Sequence, residues 1–539
     1  MPIFLTRTKL ILIGILLVSG IIVSSGSTTL PLDAHEVFVV QTTQEMHDRH
    51  DWIMPWFNNE PRLNKPPLNY WITGAVAWIT NSPEHIQAWH GRFISMIAAI
   101  GILFLTFLLG NKLYNTQISI IATALLASST GFLTYSHSAR PDMLYAFLCA
   151  GGYTAFVLAW KSVNTTKCIW FAYVMWVAYA LATLSKGPHM PAIYLLSSLL
   201  FCWSIKTPWK ELLKIIRPFA GIILYLCITV PWWYAVNQRL GGEGLHGTQL
   251  GGSLFTVDFK NFFKFYYFYR PLAYLLPWII FIPYTISYFI QKNEYAHNNR
   301  LLAFYIIIPA VILNFGNQER WFYLLPSIIP IAMLLAAGVN YVIEQPGSNQ
   351  ASRWFALIVP GLILAPVVIF FFLIFAEESL VTVNSIIFAV CILLALSTMF
   401  VVLMRKRLSL VDRLLVSCLV FGITFSVLGF TNKGWSKERF EYYRLATIAH
   451  NNVDDTTLIT TVAVNPDVYV YYVQLNIKTA DSMHDALKKF NESSCEKVLL
   501  IIRTRNIKFI PDNIKYNVMY TTDENQDKSL SLVMIKKAH

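Results

Sequence analysis

The sequence predicts a mostly α-helical, polytopic membrane protein with about 13 transmembrane helices and a C-terminal soluble α/β domain. The chain has 539 residues, of which 55% are hydrophobic and 13% are charged, whereas soluble domains carry about 25% charged residues. Apolar runs of roughly 18 residues or more recur along the chain. The composition becomes polar near residue 431, where helix-like and strand-like runs begin to alternate.

The apolar runs define the predicted spans, and each is long enough or nearly long enough to cross a bilayer. They are 8–25, 88–110, 115–133, 142–161, 168–185, 188–204, 213–234, 271–291, 301–316, 320–343, 354–376, 383–404 and 412–431. Basic residues precede the first span and small residues follow it. We interpret it as an uncleaved signal-anchor rather than a cleaved signal peptide.

The basic residues predict the orientation of these spans. With the N-terminus in the cytoplasm, the cytoplasmic segments contain Arg405-Lys406-Arg407 and the group Lys206, Lys210, Lys214 and Arg217. This agrees with the positive-inside rule, and it places the C-terminal tail outside. The net charge of +12 is therefore a topology signal. Nucleic-acid binding is excluded, since no polar segment interleaves clustered Arg or Lys with aromatic residues.

Two predicted outer segments, 27–88 and 236–270, are unusually long for connections in a compact protein, which indicates a functional role or disorder. Within the first, residues 66–80 are aromatic, moderately apolar and too short to span, so we expect an interfacial helix. The seven cysteines show no CxxC or Cys/His spacing. This excludes a disulfide framework and a zinc finger.

The sequence pattern of the C-terminal tail predicts a separate domain. Helical stretches at 437–450 and 481–490 alternate with β-rich runs at 457–464, 468–476, 497–503, 516–521 and 530–536. Such alternation is typical of a small α/β domain. We therefore divide the chain into a membrane domain, residues 1–432, and a soluble periplasmic domain, residues 433–539.

Acidic residues stand at the outer ends of two predicted spans. Asp33-Ala34-His35-Glu36 follows the first span; its carboxylates could ligate a metal, act as a base, or form a capping box, for which Asp33 and Glu36 have the right spacing. Asp142, after Arg140-Pro141, begins a predicted helix. A carboxylate there either complements the helix dipole or takes part in catalysis.

Basic residues on the outer side of the membrane are exceptions to the positive-inside rule and need an explanation. Four of them are Lys65, Lys186, Arg270 and Arg320. Together they could bind a lipid-linked phosphate or pyrophosphate. Alternatively, each is an isolated cation that reaches the headgroups. Lys65 precedes Pro66-Pro67, which restrict the local backbone.

The order of these motifs resembles the family 39 glycosyltransferases, which include the lipid A aminoarabinose transferases and, more distantly, the protein O-mannosyltransferases. The resemblance covers residues 1–345. It rests on the acidic motif at 33–36, Glu45-Met46, Asp51-Trp52, Asn58-Asn59-Glu60-Pro61, Lys65-Pro66-Pro67-Leu68-Asn69-Tyr70-Trp71, Arg140-Pro141-Asp142-Met143, Lys186-Gly187-Pro188, Leu276-Pro277-Trp278 and Arg320-Trp321-Phe322-Tyr323.

The resemblance implies the GT-C fold and inverting transfer of a sugar from a polyprenyl-phosphate donor to lipid A or another envelope acceptor, at the outer face of the bacterial inner membrane. It assigns Asp33, Glu36 and Asp142 to the catalytic motifs and Lys65 to the donor phosphate. Lys186, Arg270 and Arg320 are further phosphate-binding candidates.

The sequence departs from the family pattern at two places. The family has adjacent Asp-Glu in the first motif, but alignment places His35 opposite the Asp and Glu36 opposite the Glu. We expect Asp33 to be the base, with His35 as the alternative. Asn64 precedes Lys65 where the aminoarabinose transferases can have an acidic residue. We therefore assign no metal site and no certain cofactor, and leave a divalent metal open.

Two other functions fit parts of the pattern. A transporter or flippase of lipid-linked sugars commonly shows inverted repeats and polar residues at mid-membrane. Here the charges gather at the outer ends of spans and the long outer segments lack a symmetric counterpart, which favours the enzyme. A protein O-mannosyltransferase-like enzyme with a protein acceptor is the other alternative.

Overall fold

The structure is a computed structural model that describes residues 2–24, 26–241, 264–290, 295–316, 319–344, 409–431, 437–522 and 528–537. Its α-helices, in chain order, are α1 Pro2–Ser24, α2 Ala34–Asp48, α3 Leu68–Ile79, α4 Ala88–Leu113, α5 Thr116–Ala127, α6 Thr130–Ser136, α7 Pro141–Lys161, α8 Lys167–Lys186, α9 His189–Ser204, α10 Trp209–Ile216, α11 Pro218–Arg239, α12 Tyr266–Tyr274, α13 Ile282–Ile290, α14 Ala296–Asn314, α15 Ile328–Glu344, α16 Leu410–Thr431, α17 Lys437–Asn451, α18 Asp467–Val473 and α19 Met483–Glu492.

The helical prediction for the membrane domain is confirmed. In the described part of the chain, six helices are long and apolar enough to cross a membrane, or up to eight if each bent pair forms one span. The predicted spans 354–376 and 383–404 lie outside the described residues, and so does most of the outer segment 236–270. The other predicted spans overlap described helices.

The helices α5 and α6 form one bent pair, with an angle of 62° between them. A break in a helix leaves backbone groups without intrahelical partners. Here the backbone N–H of Thr130 donates to the carbonyl of Leu276 at 3.1 Å. The Thr130 hydroxyl donates to the carbonyl of Ala273 at 3.0 Å. The last turn of α12 and the residues that follow it therefore support the break.

The α/β prediction for the tail is confirmed by a five-stranded sheet. The strands of the described chain are β1 Trp56–Phe57, β2 Glu60–Pro61, β3 Thr457–Val462, β4 Lys478–Ala480, β5 Lys497–Arg503, β6 Tyr516–Thr521 and β7 Leu530–Lys536. The tail sheet has the order β4-β3-β5-β7-β6. The strand β3 pairs in parallel with β4 and β5, and β7 pairs antiparallel with β5 and β6.

One predicted strand is wrong. The run 468–476 is rich in Val and Tyr, which favour strands, but residues 467–473 form the helix α18. Its buried residues are Tyr469, Val470 and Val473. This spacing places them on one helical face, so burial of that face outweighs the β propensity of the side chains.

The described contacts divide the chain into two compact units. The first unit comprises Met1–Ser25, Leu63–Asn69 and Arg92–Gly429, and the second comprises Gly26–Arg62, Tyr70–Gly91 and Phe430–His539. The first outer segment thus folds mainly with the tail. Within the second unit, Asn58 exchanges two hydrogen bonds with the backbone of Ile477, at 2.9 and 3.0 Å.

Candidate active site

The first unit contains a buried ion pair where two neighbouring helices meet. Asp142 lies in the first turn of α7, and Lys186 is the last residue of α8. The Lys186 ammonium binds the Asp142 carboxylate, and the two side chains are 2% and 3% exposed. Arg140 Nε binds the other carboxylate oxygen at 3.0 Å. Asp142 therefore compensates two cations that would be costly to bury alone.

Aromatic rings complete the surroundings of Lys186. Its Nζ lies 4.4 Å from the ring centroid of Phe322, 4.6 Å from that of Tyr323 and 5.6 Å from that of Tyr145. Such rings attract a cation through their negative faces. The Tyr145 hydroxyl also donates to the carbonyl of Gly187 at 3.0 Å, so the turn that carries Lys186 is held in place.

Lys65 belongs to the same neighbourhood of the first unit. Asn69, four residues later, donates to the hydroxyl of Ser185 at 2.9 Å and to its carbonyl at 3.2 Å. This pair anchors the Lys65 segment beside the end of α8. Lys65 is within electrostatic range of Asp142 and of His189.

The two remaining cations have different positions. Arg320 is within electrostatic range of Lys186, and the Tyr267 hydroxyl accepts from its backbone N–H at 3.1 Å. Arg270 is exposed, and its guanidinium carbon lies 5.5 Å from the ring centroid of Tyr266. In the described contacts, Arg270 touches tyrosine rings rather than the Asp142 ion pair.

We name Lys65, Arg140, Lys186 and Arg320, together with the Asp142 carboxylate, the basic cluster. Lys65, Arg140 and Lys186 act electrostatically on Asp142, and Arg320 acts on Lys186. The cluster therefore concentrates cationic side chains of the kind that bind anions. Arginine and lysine are the side chains that bind phosphate by charge-assisted hydrogen bonds.

The acidic motif lies in the second unit, where Asp33 caps α2. The Asp33 Oδ1 atom accepts the backbone N–H groups of His35 and Glu36, both at 2.8 Å. The Glu36 Oε2 atom accepts the backbone N–H of Asp33 at 3.0 Å. The capping box expected as one of three interpretations is therefore present.

Arg439, from α17, binds both carboxylates of this motif. Its Nη2 lies 2.9 Å from Asp33 Oδ2, and its Nη1 lies 3.0 Å from Glu36 Oε2. Glu36 is 1% exposed. Both oxygens of Asp33 are thus engaged, one by the helix N-terminus and one by a guanidinium.

His35 has a different environment from its two acidic neighbours, since its side chain is exposed. Its ring centroid lies 6.3 Å from that of Phe38. It is within electrostatic range of Asp467, the first residue of α18. Burial raises the pKa of Asp467, against the opposing effects of a hydrogen bond from Asn465 and of the charges on Arg62 and His35.

Other motif residues of the outer segment 27–88 stabilise the fold of that segment. The Glu45 carboxylate accepts the backbone N–H groups of Asn58 at 2.7 Å and Asn59 at 3.0 Å. These asparagines have φ of +54° and +64°, as a tight two-residue hairpin turn requires. Asp51 Oδ1 accepts two backbone N–H groups that follow it in the chain.

Sequence reasoning missed Arg439, Asp467 and His189. Arg439 and Asp467 lie more than 400 residues after the motif they accompany, and no local pattern marks them. His189 follows Lys186-Gly187-Pro188 directly, so its place in the motif was the available signal. Among the described residues, no group of three or more His, Cys, Asp or Glu side chains is placed to hold a metal ion.

The chain is similar to known glycosyltransferases. The model of the dolichyl-phosphate-mannose-protein mannosyltransferase family matches residues 37–241. An undecaprenyl phosphate-alpha-4-amino-4-deoxy-L-arabinose arabinosyl transferase of Shewanella sediminis is 23% identical, over 58% of this chain and 56% of its own length. Its counterpart from Pseudomonas savastanoi is 25% identical, over 60% of this chain and 61% of its own length. The chain therefore spans less than two thirds of the length of these relatives.

The fold is that of a solved membrane glycosyltransferase. The crystal structure of ArnT from Cupriavidus metallidurans bound to undecaprenyl phosphate matches with a TM-score of 0.76 and 14% identity, over 99% of this chain and 98% of that chain. The GT-C fold expected from the resemblance is confirmed. The resemblance to the aminoarabinose transferases and, more distantly, to the O-mannosyltransferases is also confirmed.

Proposed function

We propose that this chain is an inverting glycosyltransferase that moves a sugar from a polyprenyl-phosphate donor to lipid A or another envelope acceptor. The basic cluster, at one end of the membrane-spanning helices α7 and α8, is the observation that carries this proposal. A polyprenyl phosphate presents its charge at the membrane surface, and the relatives named above use undecaprenyl-phosphate-linked sugars according to their names.

The reaction is a single displacement at the anomeric carbon. The acceptor oxygen forms a bond to that carbon while the bond to the phosphate oxygen breaks, and the phosphate leaves with the electron pair. Negative charge on the departing phosphate increases in the transition state, so fixed cations accelerate the step. We assign this role to Lys65, Lys186 and Arg320, with Arg270 as an additional candidate.

Asp142 orients two cations in this scheme. Its carboxylate binds Lys186 and Arg140 and fixes both in position. We retain the assignment of Asp142 to the second catalytic acidic motif, where its action on the reaction runs through the cations that it orients.

The proton of the acceptor hydroxyl needs a base. Asp33 and Glu36 were the first candidates, but their carboxylates are bound to Arg439 and to the start of α2. The exposed His35 stands where the family has an aspartate. We therefore propose His35 as the base, with Asp33 and Glu36 as the residues that orient it.

We also propose the location that the sequence predicts: the bacterial inner membrane, with the active site and residues 433–539 on the periplasmic side. The distribution of basic residues supports this orientation. A tag fused after His539 should be accessible to a membrane-impermeant probe in intact spheroplasts, where the outer membrane has been removed. Labelling only after the cells are lysed would contradict the orientation.

A reconstitution experiment tests the activity. The purified protein in lipid nanodiscs receives undecaprenyl-phosphate-linked sugars with lipid A as acceptor, and mass spectrometry detects the transferred sugar. A comparison of envelope lipids from cells with and without the gene identifies the natural product. Absence of any transfer, together with unchanged envelope lipids, would reject the glycosyltransferase.

A second candidate differs in its acceptor. The match of residues 37–241 to the protein mannosyltransferase family model favours a polypeptide hydroxyl as an alternative acceptor. A parallel reaction with a Ser/Thr-rich peptide distinguishes the two, because only one acceptor class gains mass.

A further inference from the structure

We infer that Arg439, in the C-terminal segment, is a positioning residue for catalysis that holds the acidic motif at 33–36 in its working geometry. This inference rests on the proposed function, because the motif needs a geometry only if it acts on an acceptor. It makes the C-terminal segment part of the catalytic machinery rather than an accessory domain.

The geometry of the guanidinium carries the inference. One nitrogen binds Asp33 at 2.9 Å and the other binds Glu36 at 3.0 Å. The Nη1 atom also lies 3.3 Å from the carbonyl oxygen of Pro31. A planar fork with several donors can bridge two carboxylates in this way, whereas an ammonium group is a single point charge.

Burial makes the contact costly to lose. Glu36 is 1% exposed, and its carboxylate lies beside that of Asp33, which also contacts Arg439. Like charges that close repel each other, and a buried carboxylate without a cation is unfavourable. Arg439 compensates both charges at once.

The same contacts restrain the backbone that carries His35. Asp33 and Glu36 are linked to each other through the capping box, and Arg439 bridges Asp33 Oδ2 and Glu36 Oε2. The N-cap residue before His35 and the residue after it are therefore both restrained by charged groups. A base that is already in the productive orientation transfers a proton faster than one that must first reach that orientation.

The C-terminal segment carries Arg439 on a helix that packs against its neighbour. The helix α17 buries Leu445, Ala446 and Ala449 and packs on α18. From α18, the Tyr472 hydroxyl accepts the backbone N–H of Leu32 at 2.6 Å, next to Asp33. Two neighbouring helices of the tail thus contact the same short segment.

The test compares three variants of the full-length protein in nanodiscs: Arg439→Met, Arg439→Lys and the control Arg444→Met. Arg444 lies on the same helix, is exposed, and contacts the ring of Tyr520 at 5.5 Å rather than the acidic motif. Both methionine variants remove one positive charge from α17. We measure kcat and the KM for the donor per mole of folded protein, with folding checked by thermal unfolding.

We expect Arg439→Met to lower kcat by about 100-fold, the size of effect that a small misplacement of a catalytic group produces, with little change in the KM for the donor. Arg439→Lys should recover part of that loss, because it restores the charge without the fork. Arg444→Met should keep the wild-type kcat. A purely structural arginine would lower the amount of folded protein but leave kcat per folded molecule unchanged.

Wild-type kcat per folded molecule in Arg439→Met would overturn the inference while leaving the glycosyltransferase intact. An equal loss in Arg444→Met would also overturn it, since the effect would then follow the charge of α17 and not the contact. If the wild-type protein itself transfers no sugar, the proposed function fails and the inference fails with it.

Discussion

The ammonium group of Lys186 binds the carboxylate of Asp142, and each side chain is almost completely buried. The two residues lie at the adjoining ends of α8 and α7 and are 44 positions apart in the chain. This pair connects the stability of the membrane bundle to the charge of the proposed phosphate site, since a change in either residue affects both.

The substitution Asp142→Asn should destabilise the protein and abolish transfer. It leaves Lys186 buried without its counter-ion, a change that costs about 3–5 kcal/mol in other proteins. Thermal unfolding in detergent gives the stability, and the reconstituted reaction gives the activity.

The double variant Asp142→Asn/Lys186→Met is the control for this pair. It removes the unpaired charge, so it should unfold at a higher temperature than Asp142→Asn alone and yet remain inactive. Recovery of transfer by the double variant would remove Lys186 from the phosphate site.

The substitution Lys65→Ala should weaken donor binding with little effect on folding. A charge-assisted hydrogen bond contributes about 1.5–3 kcal/mol, equivalent to about 10- to 150-fold in Kd for undecaprenyl phosphate. The matched control is Lys167→Ala, an exposed lysine at the opposite end of α8 from Lys186. Equal Kd values for the wild type and Lys65→Ala would exclude Lys65 from phosphate binding.

The substitution Gly187→Ala should lower both the unfolding temperature and the activity. Gly187 has φ +118°, a conformation that costs a residue with a Cβ atom about 1–3 kcal/mol. Space is not the obstacle, because the nearest heavy atom to an added Cβ would be His189 Nδ1 at 3.4 Å.

Gly151→Ala is the comparison for Gly187. It lies within α7, where an added Cβ would meet the Ala178 Cβ at an ordinary 3.8 Å, so alanine should be neutral or slightly stabilising. If both variants unfold at the same temperature, the strained turn beside Lys186 has no energetic importance.

The identity of the base predicts the effect of substitutions at His35. If His35 accepts the acceptor proton, His35→Ala should lose most of kcat, because no group then takes up that proton. The substitution His35→Asp supplies the aspartate of the family pattern and should retain activity. The reconstituted reaction measures kcat for each variant. Wild-type kcat in His35→Ala would return the role to Asp33.

The half-buried Asp467 predicts that the stability of the second unit depends on pH. Its pKa is raised in the folded chain, so its stabilising effect is complete below about pH 3.9, the unfolded value, and is lost as the pH rises through the folded value. Asp467→Asn stays neutral and should therefore be more stable than the wild type at pH 7 and equal to it near pH 3.

Hydrogen exchange of the amides in α18, corrected for intrinsic rates, measures this difference. The exposed Asp455→Asn is the control, and surface changes of this kind usually shift stability by about 0.5 kcal/mol or less. Greater protection of the wild type than of Asp467→Asn at pH 7 would contradict the prediction.

The local sequence predicted several parts of the proposed site because their chemistry is encoded within a few residues. The capping box needs only the spacing of Asp33 and Glu36, and the structure contains it. The apolar length of the spans needs no tertiary information, because a bilayer requires the same length of any helix. The order of the motifs likewise sufficed for the resemblance and the GT-C fold.

The tertiary structure decided which charges meet and which elements change type. Arg439 reaches Asp33 from 406 positions away, and Asp142 meets Lys186 through the packing of α7 on α8. The run 468–476 forms a helix because the packed fold buries one of its faces, although its residues favour a strand. Periodicity and spacing act over a few residues, whereas ion pairs and buried faces depend on which distant segments the whole fold brings together.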